Sequence, residues 1–80
     1  MKIEVLYFAS LRERVGCDHE LIEMARGSCV ADVWQAGQAG QGGHSLPGNS
    51  LCAINEEYAP LDAVVKDADR VAFFPPVTGG

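Results

Sequence analysis

With 80 residues, 48% of them hydrophobic and 21% charged, the chain has room for one globular domain and none for a second. Its formal net charge of -5 argues against nucleic acid and anionic membrane as partners, because both bind basic protein surfaces. The longest early apolar run, Val5 to Ala9, is too short for a signal-peptide core or a membrane span. We therefore expect a cytoplasmic protein whose partners present basic surfaces.

The chain begins with a predicted strand and a short helix. Residues Lys2 to Ala9 are rich in β-branched and aromatic side chains, and their alternation indicates a strand with two largely apolar faces. Ser10 then occupies the position of a helix N-cap, Glu13 can reach back to it, and Gly16 is placed to end the helix. This stretch therefore predicts one strand followed by one helix.

A second strand and a second helix follow. Residues His19 to Ala25 have the pattern of a strand, and the next two residues turn the chain. Ser28 can then cap a helix that carries Val30, Val33 and Trp34 on one face. We expect Trp34 to be the main side chain filling the core.

The stretch from Gly37 to Ser50 predicts a loop, because its many glycines make the backbone too permissive for a helix or strand. These glycines follow a helix and do not form the G-x-x-x-x-G-K-[ST] pattern of a phosphate-binding loop. Residues 51–55 predict a strand, residues 55–57 a turn into a brief strand around Tyr58, and residues 67–74 a turn and a last strand. The order of elements predicts an α+β domain.

The cysteines and histidines predict neither a disulfide framework nor a metal site. Cys17, Cys29 and Cys52 are far apart, their number is odd, and no C-x-x-C pair occurs. His19 and His44 lie at ligand spacing neither from a cysteine nor from each other. We expect reduced, mostly buried thiols, an exposed His19 beside Asp18, and no metal or cofactor bound by this chain.

The two faces of the sheet are expected to differ. The preference for right-handed crossovers favours a last strand that lies parallel to the first in the middle of the sheet, with the second helix on one face. Alternation then directs one set of side chains to the core, namely Ile3, Val5, Tyr7, Val71 and Phe73, together with Trp34. The other set forms an uncovered apolar patch that predicts a docking surface: Leu6, Phe8, Ala72 and Phe74.

The sequence ends in FFPPVTGG, which predicts a strand followed by an extended tail over residues 75–80. Pro75 and Pro76 lack backbone donors, so the sheet cannot continue through them. Extended at about 3.3 Å per residue, the last four residues reach roughly 13 Å, which is enough to enter a neighbour's active site. Gly79 and Gly80 let the main chain pass a constriction that any Cβ would block, and they leave the terminal carboxylate as the reactive group.

Three segments together resemble a known family: FFPPVTGG, VLYFASLRERVG near the start, and CAINEEYAPLDAVVKDADRVAFF before the tail. They are similar to the small subunits of molybdopterin synthase, which are sulfur carriers with a ubiquitin-like β-grasp fold. The resemblance covers Met1 to Gly16 and Leu51 to Gly80. It departs from the family pattern in the Gly37 to Ser50 loop, where we expect a shortened helix, and at Ala68, where the family commonly has glycine. A turn with positive φ at Ala68 would carry a steric cost.

The resemblance implies a function. An adenylating enzyme would activate the carboxylate of Gly80 with ATP, and the carboxylate would become a thiocarboxylate carried on the Gly79 to Gly80 terminus. The tail would enter the large subunit of a heterotetramer, whose active site uses the sulfur to build the dithiolene of molybdopterin. No catalytic acid or base is expected in this chain. The resemblance assigns partner contacts to the three aromatic residues and the tail: Phe8, Tyr58, Phe74, Pro75, Pro76, Val77 and Thr78.

Three alternatives remain open from the sequence. A sulfur carrier for thiamine or another thiolation pathway shares the fold and the diglycine, although the motif FFPPVTGG favours the molybdenum pathway. A protein modifier that forms isopeptide bonds also uses the diglycine, and it would produce a ladder of heavier conjugates. A plain interaction domain would use the apolar patch and would not need its last residue.

Overall fold

The computed structural model describes residues 1–37 and 46–76. These residues contain five strands and two short helices. In chain order they are β1 (Lys2–Tyr7), α1 (Ala9–Val15), β2 (His19–Glu23), α2 (Val30–Ala36), β3 (Leu51–Ile54), β4 (Glu57–Tyr58) and β5 (Arg70–Phe74).

The strands form one mixed sheet in the order β2-β1-β5-β3-β4. β1 and β5 are parallel, with Val5 opposite Val71 and Tyr7 opposite Phe73. The other neighbouring pairs are antiparallel. The predicted parallel pairing of the first and last strands in the middle of the sheet is therefore confirmed.

One hydrophobic core lies between the inner face of the sheet and the two helices. Trp34 is 3% exposed and meets Phe73 edge-on, with ring centroids 5.1 Å apart. Tyr7 stacks on the other side of this cluster, 6.2 Å from the Phe73 ring. The predicted inward set is confirmed, and α1 joins α2 on this face. The remaining core members are Ile3, Val5, Leu11, Val15, Val30, Val33, Cys52, Val65 and Val71.

The predicted start of the first helix is wrong. α1 begins at Ala9, and the N-cap is Phe8, which makes no side-chain capping bond. The Phe8 carbonyl already accepts the Leu11 N–H at 3.1 Å, so the chain turns into the helix directly after β1 and Ser10 falls inside it. The predicted stop is confirmed: Gly16 has φ 92 and its N–H bonds to the Arg12 carbonyl at 2.9 Å.

The predicted cap of the second helix is also wrong. α2 begins at Val30 with Cys29 as its N-cap, while the Ser28 hydroxyl donates to the Ala25 carbonyl at 2.7 Å and closes the preceding turn. The Asp32 carboxylate supplies the cap instead, accepting the Cys29 N–H at 3.0 Å. This bond and a second one from the Cys29 thiol hold the pKa of Asp32 below its ordinary value. The helix ends at Ala36, in agreement with the expected shortening.

The turns before β4 and β5 use left-handed backbone without glycine. Asn55 and Glu56 have φ 50 and 72, which is the conformation of a tight type I′ hairpin, and Glu57 already belongs to β4 and not to the predicted turn. Ala68 has φ 69, so the steric cost expected for alanine at this position is present. For an L-residue that cost is about 1 to 2 kcal/mol.

The observed environments of the cysteines and histidines agree in part with those predicted from the sequence. All three cysteines are free, but only Cys52 is buried, whereas Cys17 and Cys29 are half-buried because each lies in a connection at the end of an element. His19 is exposed, with Nδ1 3.4 Å from the Asp18 carboxylate. His44 and the rest of the 38–45 stretch lie outside the described residues. Within residues 1–37 and 46–76, no helix is long and apolar enough to cross a membrane.

Candidate functional site

Three aromatic side chains meet on the outer face of the sheet, opposite the core. Phe8 and Phe74 stack with ring centroids 4.7 Å apart and planes inclined by 12°. Tyr58 meets Phe74 at 6.4 Å and 64°, an edge-on contact. We call these three residues the aromatic patch. Phe8 and Tyr58 are exposed by 41% and 76%, so the patch faces outward.

Sheet register brings these residues together from three distant parts of the chain. Phe74 is the last residue of β5, and Phe8 follows β1 immediately, with its N–H bonded to the Phe73 carbonyl at 3.2 Å. Tyr58 lies opposite Ala53, and Ala53 lies opposite Ala72. Because side chains alternate along strands, all of these positions share the outer face.

A groove of about 320 Å³ opens within the aromatic patch. Small side chains, Ala53 and Ala72, lie at its floor together with Leu6, and this leaves the space between the aromatic rings open. Its polar lining comes from Glu56 and Arg70. The shape and lining fit an apolar side chain from another molecule, anchored between aromatic rings.

An ion pair borders the groove. The Arg70 Nε donates to Glu4 Oε1, joining neighbouring positions of β5 and β1 on the outer face. Arg70 and Glu4 are both partly exposed, and such pairs contribute little to the free energy of unfolding. The pair nevertheless fixes the position of the guanidinium beside the aromatic patch.

The chain leaves the sheet directly beside the aromatic patch. β5 ends at Phe74, the last residue in register with β3, and half-buried Pro75 and Pro76 follow outside the strand. The prediction that the prolines end the sheet is confirmed. The other predicted tail residues lie outside the described residues: Val77, Thr78, Gly79 and Gly80.

Most of the residues predicted for the outer surface lie there, and the structure places two further residues beside them. Phe8, Tyr58 and Phe74 lie together, as the resemblance implied. Ala72 is on the outer face but only 8% exposed, so the prediction that it is uncovered is wrong, because its large neighbours shield a small side chain. The sequence analysis missed Glu56 and Arg70. Arg70 could have been found from the alternation that places it two residues before Ala72 on the same face.

A comparison with models of protein families identifies the family of this chain. A family model, the ThiS family, matches residues 5–80. The chain belongs to the ThiS family. Two curated relatives of this ThiS-family chain, from Haemophilus influenzae and from Escherichia coli, are each named molybdopterin synthase sulfur carrier subunit. Each is 38% identical over 82 residues, covering 98% of this chain and 99% of the relative.

Solved structures identify the fold of this ThiS-family member. The small archaeal modifier protein 1 of Haloferax volcanii matches with a TM-score of 0.78 and 25% identity, over 95% of this chain and 98% of that one. The fold is the ubiquitin-like β-grasp, as predicted. The resemblance to molybdopterin synthase small subunits is likewise confirmed by the relatives.

Proposed function

We propose that this ThiS-family chain is the sulfur carrier subunit of a molybdopterin synthase. The observation that carries the proposal is the aromatic patch beside the exit of the C-terminal segment. Phe74 belongs to the patch, and Pro75 and Pro76 follow it directly in the chain. A partner bound on the patch therefore lies close to the segment that follows. The names of the two bacterial relatives support the same function.

The proposed occupant of the groove is the large subunit of the synthase. A few well-packed residues near the centre of an interface, aromatic residues prominent among them, carry most of the affinity of protein complexes. Docking through the outer face leaves the core unchanged, because the core side chains, including those of both helices, lie on the other side of the sheet. Docking would then restrict the tail to the neighbourhood of the partner's active site, which raises its effective concentration there.

The proposed reactive group is the carboxylate of Gly80, which lies within the stretch that the family model matches. A carboxylate is a poor electrophile because it has no good leaving group. Attack of the carboxylate on the α-phosphorus of ATP, held by an adenylating enzyme, releases pyrophosphate and gives an acyl adenylate. A hydrosulfide equivalent then displaces AMP and leaves a thiocarboxylate. Glycine at position 79 permits close approach of the main chain to the adenylating enzyme and to the large subunit.

The proposal includes the assembly and the compartment. The large subunit would supply the active site in which the thiocarboxylate sulfur is transferred to the pterin, and two copies of each subunit would form the heterotetramer. The adenylating enzyme is a second, separate partner. A cytoplasmic location is supported by the three free cysteines, since oxidising compartments favour disulfides.

The direct test is intact-mass analysis of the purified chain after incubation with its adenylating enzyme, ATP and a sulfur donor. We expect the mass to increase by the replacement of one oxygen by sulfur, and we expect fragmentation to assign this change to Gly80. Omitting ATP is the matched control, because without the adenylate no leaving group is present. An unchanged mass with an enzyme that demonstrably forms adenylate would refute the proposal.

Modification of other proteins is the second candidate, and the structural similarity to small archaeal modifier protein 1 favours it. Both functions begin with an activated Gly80 carboxylate, but a modifier transfers its acyl group to lysine amines. Conjugates would therefore appear as heavier species carrying this chain in an isopeptide bond. A sulfur carrier for thiamine would instead support thiazole formation and would not bind the large subunit of a molybdopterin synthase.

A further inference from the structure

A second groove adjoins the aromatic patch on the outer face. Its volume is about 470 Å³, and it shares Leu6, Phe8 and Arg70 with the aromatic groove. The two grooves are therefore one continuous surface. Their linings differ, because the second groove is bordered by the ionisable side chains of Glu4, Arg12, Asp18, His19 and Arg70.

Arg12 is a cation of this second groove that has no ion-pair partner within the described residues. Arg70 is paired with Glu4, and the Asp18 carboxylate lies 3.4 Å from His19 Nδ1, a contact that is an ion pair only when the imidazole is protonated. Within the part of the chain that the structure describes, the Arg12 guanidinium makes no hydrogen bond or ion pair. Its side chain is exposed. A guanidinium stays charged at every physiological pH and presents a planar set of donors that matches a carboxylate.

The helix fixes Arg12 relative to the aromatic patch. The Arg12 N–H lies 3.4 Å from the Phe8 carbonyl, so the two residues are one helical turn apart. Phe8 is the N-cap and lies outside the helix, but both side chains line the second groove. A partner residue that contacts Phe8 is therefore within reach of Arg12.

We propose that Arg12 binds a carboxylate side chain of the large subunit, next to the apolar residue that fills the aromatic groove. The inference rests on the proposed function and specifies the chemistry of its partner. The chain has six lysines and arginines against eleven aspartates and glutamates, so most of its surface repels carboxylates. An isolated cation beside the aromatic patch therefore favours an acidic side chain at one position and thereby fixes the orientation of docking.

Affinity for the large subunit of the same organism's molybdopterin synthase tests the proposal. We expect Arg12→Glu to weaken binding about tenfold at low ionic strength, mainly by slowing association, and Arg12→Gln to weaken it by about threefold. Both differences should shrink as salt is raised, since an exposed pair is screened over about 10 Å at 0.1 M. The matched control is Arg26→Glu, which makes the same change in net charge at an exposed position outside both grooves.

One further measurement separates this inference from the proposed function. Phe74→Ala reports on docking through the aromatic patch. If Phe74→Ala weakens binding while Arg12→Glu behaves like Arg26→Glu, the carboxylate contact is wrong and the proposed function stands. If Phe74→Ala also binds normally, docking through this face is wrong.

A charge exchange identifies the carboxylate itself. Each exposed Asp and Glu of the large subunit's docking surface is replaced by Lys, one at a time, and tested against the Arg12→Glu chain. Recovery of affinity at one position is the expected result. Failure at every acidic position would overturn the assignment of a carboxylate as the ligand of Arg12.

Discussion

Phe73 and Phe74 are adjacent in the chain and serve opposite faces of the sheet. Phe73 is 0% exposed and packs against Tyr7 and Trp34 in the core. Phe74 is half-buried and stacks on Phe8 in the aromatic patch. A shift of one residue in the register of β5 would exchange these environments, because successive strand side chains point in opposite directions.

Replacing Phe74 with Ala should therefore separate docking from folding. We expect the substitution to weaken binding of the large subunit by about 2 kcal/mol, the effect of truncating a central interface anchor. Isothermal titration calorimetry with the purified large subunit measures it. Leu21→Ala is the control for binding, since Leu21 is 69% exposed on β2 and lies outside the grooves.

The stability of the same variants checks the assignment of faces. Phe73→Ala should lower the free energy of unfolding by about 3 to 5 kcal/mol, as expected for a buried aromatic residue. Phe74→Ala should cost much less, because its ring is already partly in contact with water. A large loss of stability for Phe74→Ala with unchanged binding would mean that the two faces have been exchanged.

The short connections between the elements contain backbone conformations that are unusual for their residue types. Within the described residues, five non-glycine residues have positive φ, all of them in turns or at the start of a helix: Ala9, Asn49, Asn55, Glu56 and Ala68. Asparagine tolerates this conformation, but alanine does not. At Ala68 the turn is held by surrounding bonds, including its own N–H to the Lys2 carbonyl at 2.8 Å and the Asp69 N–H to the Lys66 carbonyl at 3.1 Å.

Ala68→Gly should stabilise the domain. Glycine removes the steric cost of φ 69, and its greater freedom in the unfolded chain offsets part of the gain, so we expect about 0.5 to 1 kcal/mol. Urea unfolding followed by circular dichroism measures the difference. Ala31→Gly, within α2, is the opposite control and should cost about 1 kcal/mol, because φ there is helical. A loss of stability in Ala68→Gly would argue against this turn conformation.

At the scale of the whole molecule, the two faces of the sheet differ: one packs against the core, and the other is the proposed docking face. The largest buried side chains, including those of both helices, are on one side of the sheet, and the aromatic patch is on the other. β5 ends at Phe74 in the aromatic patch, and Pro75 and Pro76 follow it directly in the chain. Folding, docking and delivery of the carboxylate should therefore respond to different changes.

Deleting Gly80 should abolish sulfur transfer and leave docking in place. The chain without its last residue retains every described core and patch residue, so it should fold, bind the large subunit through the aromatic patch and compete with the intact carrier. Formation of the pterin dithiolene in a reconstituted assay, with the two versions mixed at increasing ratios, measures this. Normal product formation by the truncated chain alone would favour a plain interaction domain over a sulfur carrier.

Several features could be predicted from local sequence because they depend on local periodicity. The alternation in Lys2–Tyr7 and Arg70–Phe74 assigned the core and outer faces correctly, and Gly16 and the two prolines marked where elements end. The helix starts were predicted wrongly at Ser10 and Ser28. A capping residue is chosen by the position at which the chain must turn after the preceding element, and hydroxyl-bearing candidates alone do not specify that position.

The sequence by itself determined which side chains alternate, where the strands must stop and which family the chain resembles. Only the tertiary structure decided that Phe8, Tyr58 and Phe74 touch, that Arg70 pairs with Glu4, and that Arg12 stands unpaired beside them in the part of the chain the structure describes. These contacts join residues that are distant along the chain, and they require the strand order β2-β1-β5-β3-β4. That order is set by the free energy of packing the whole sheet against both helices, which no local pattern contains.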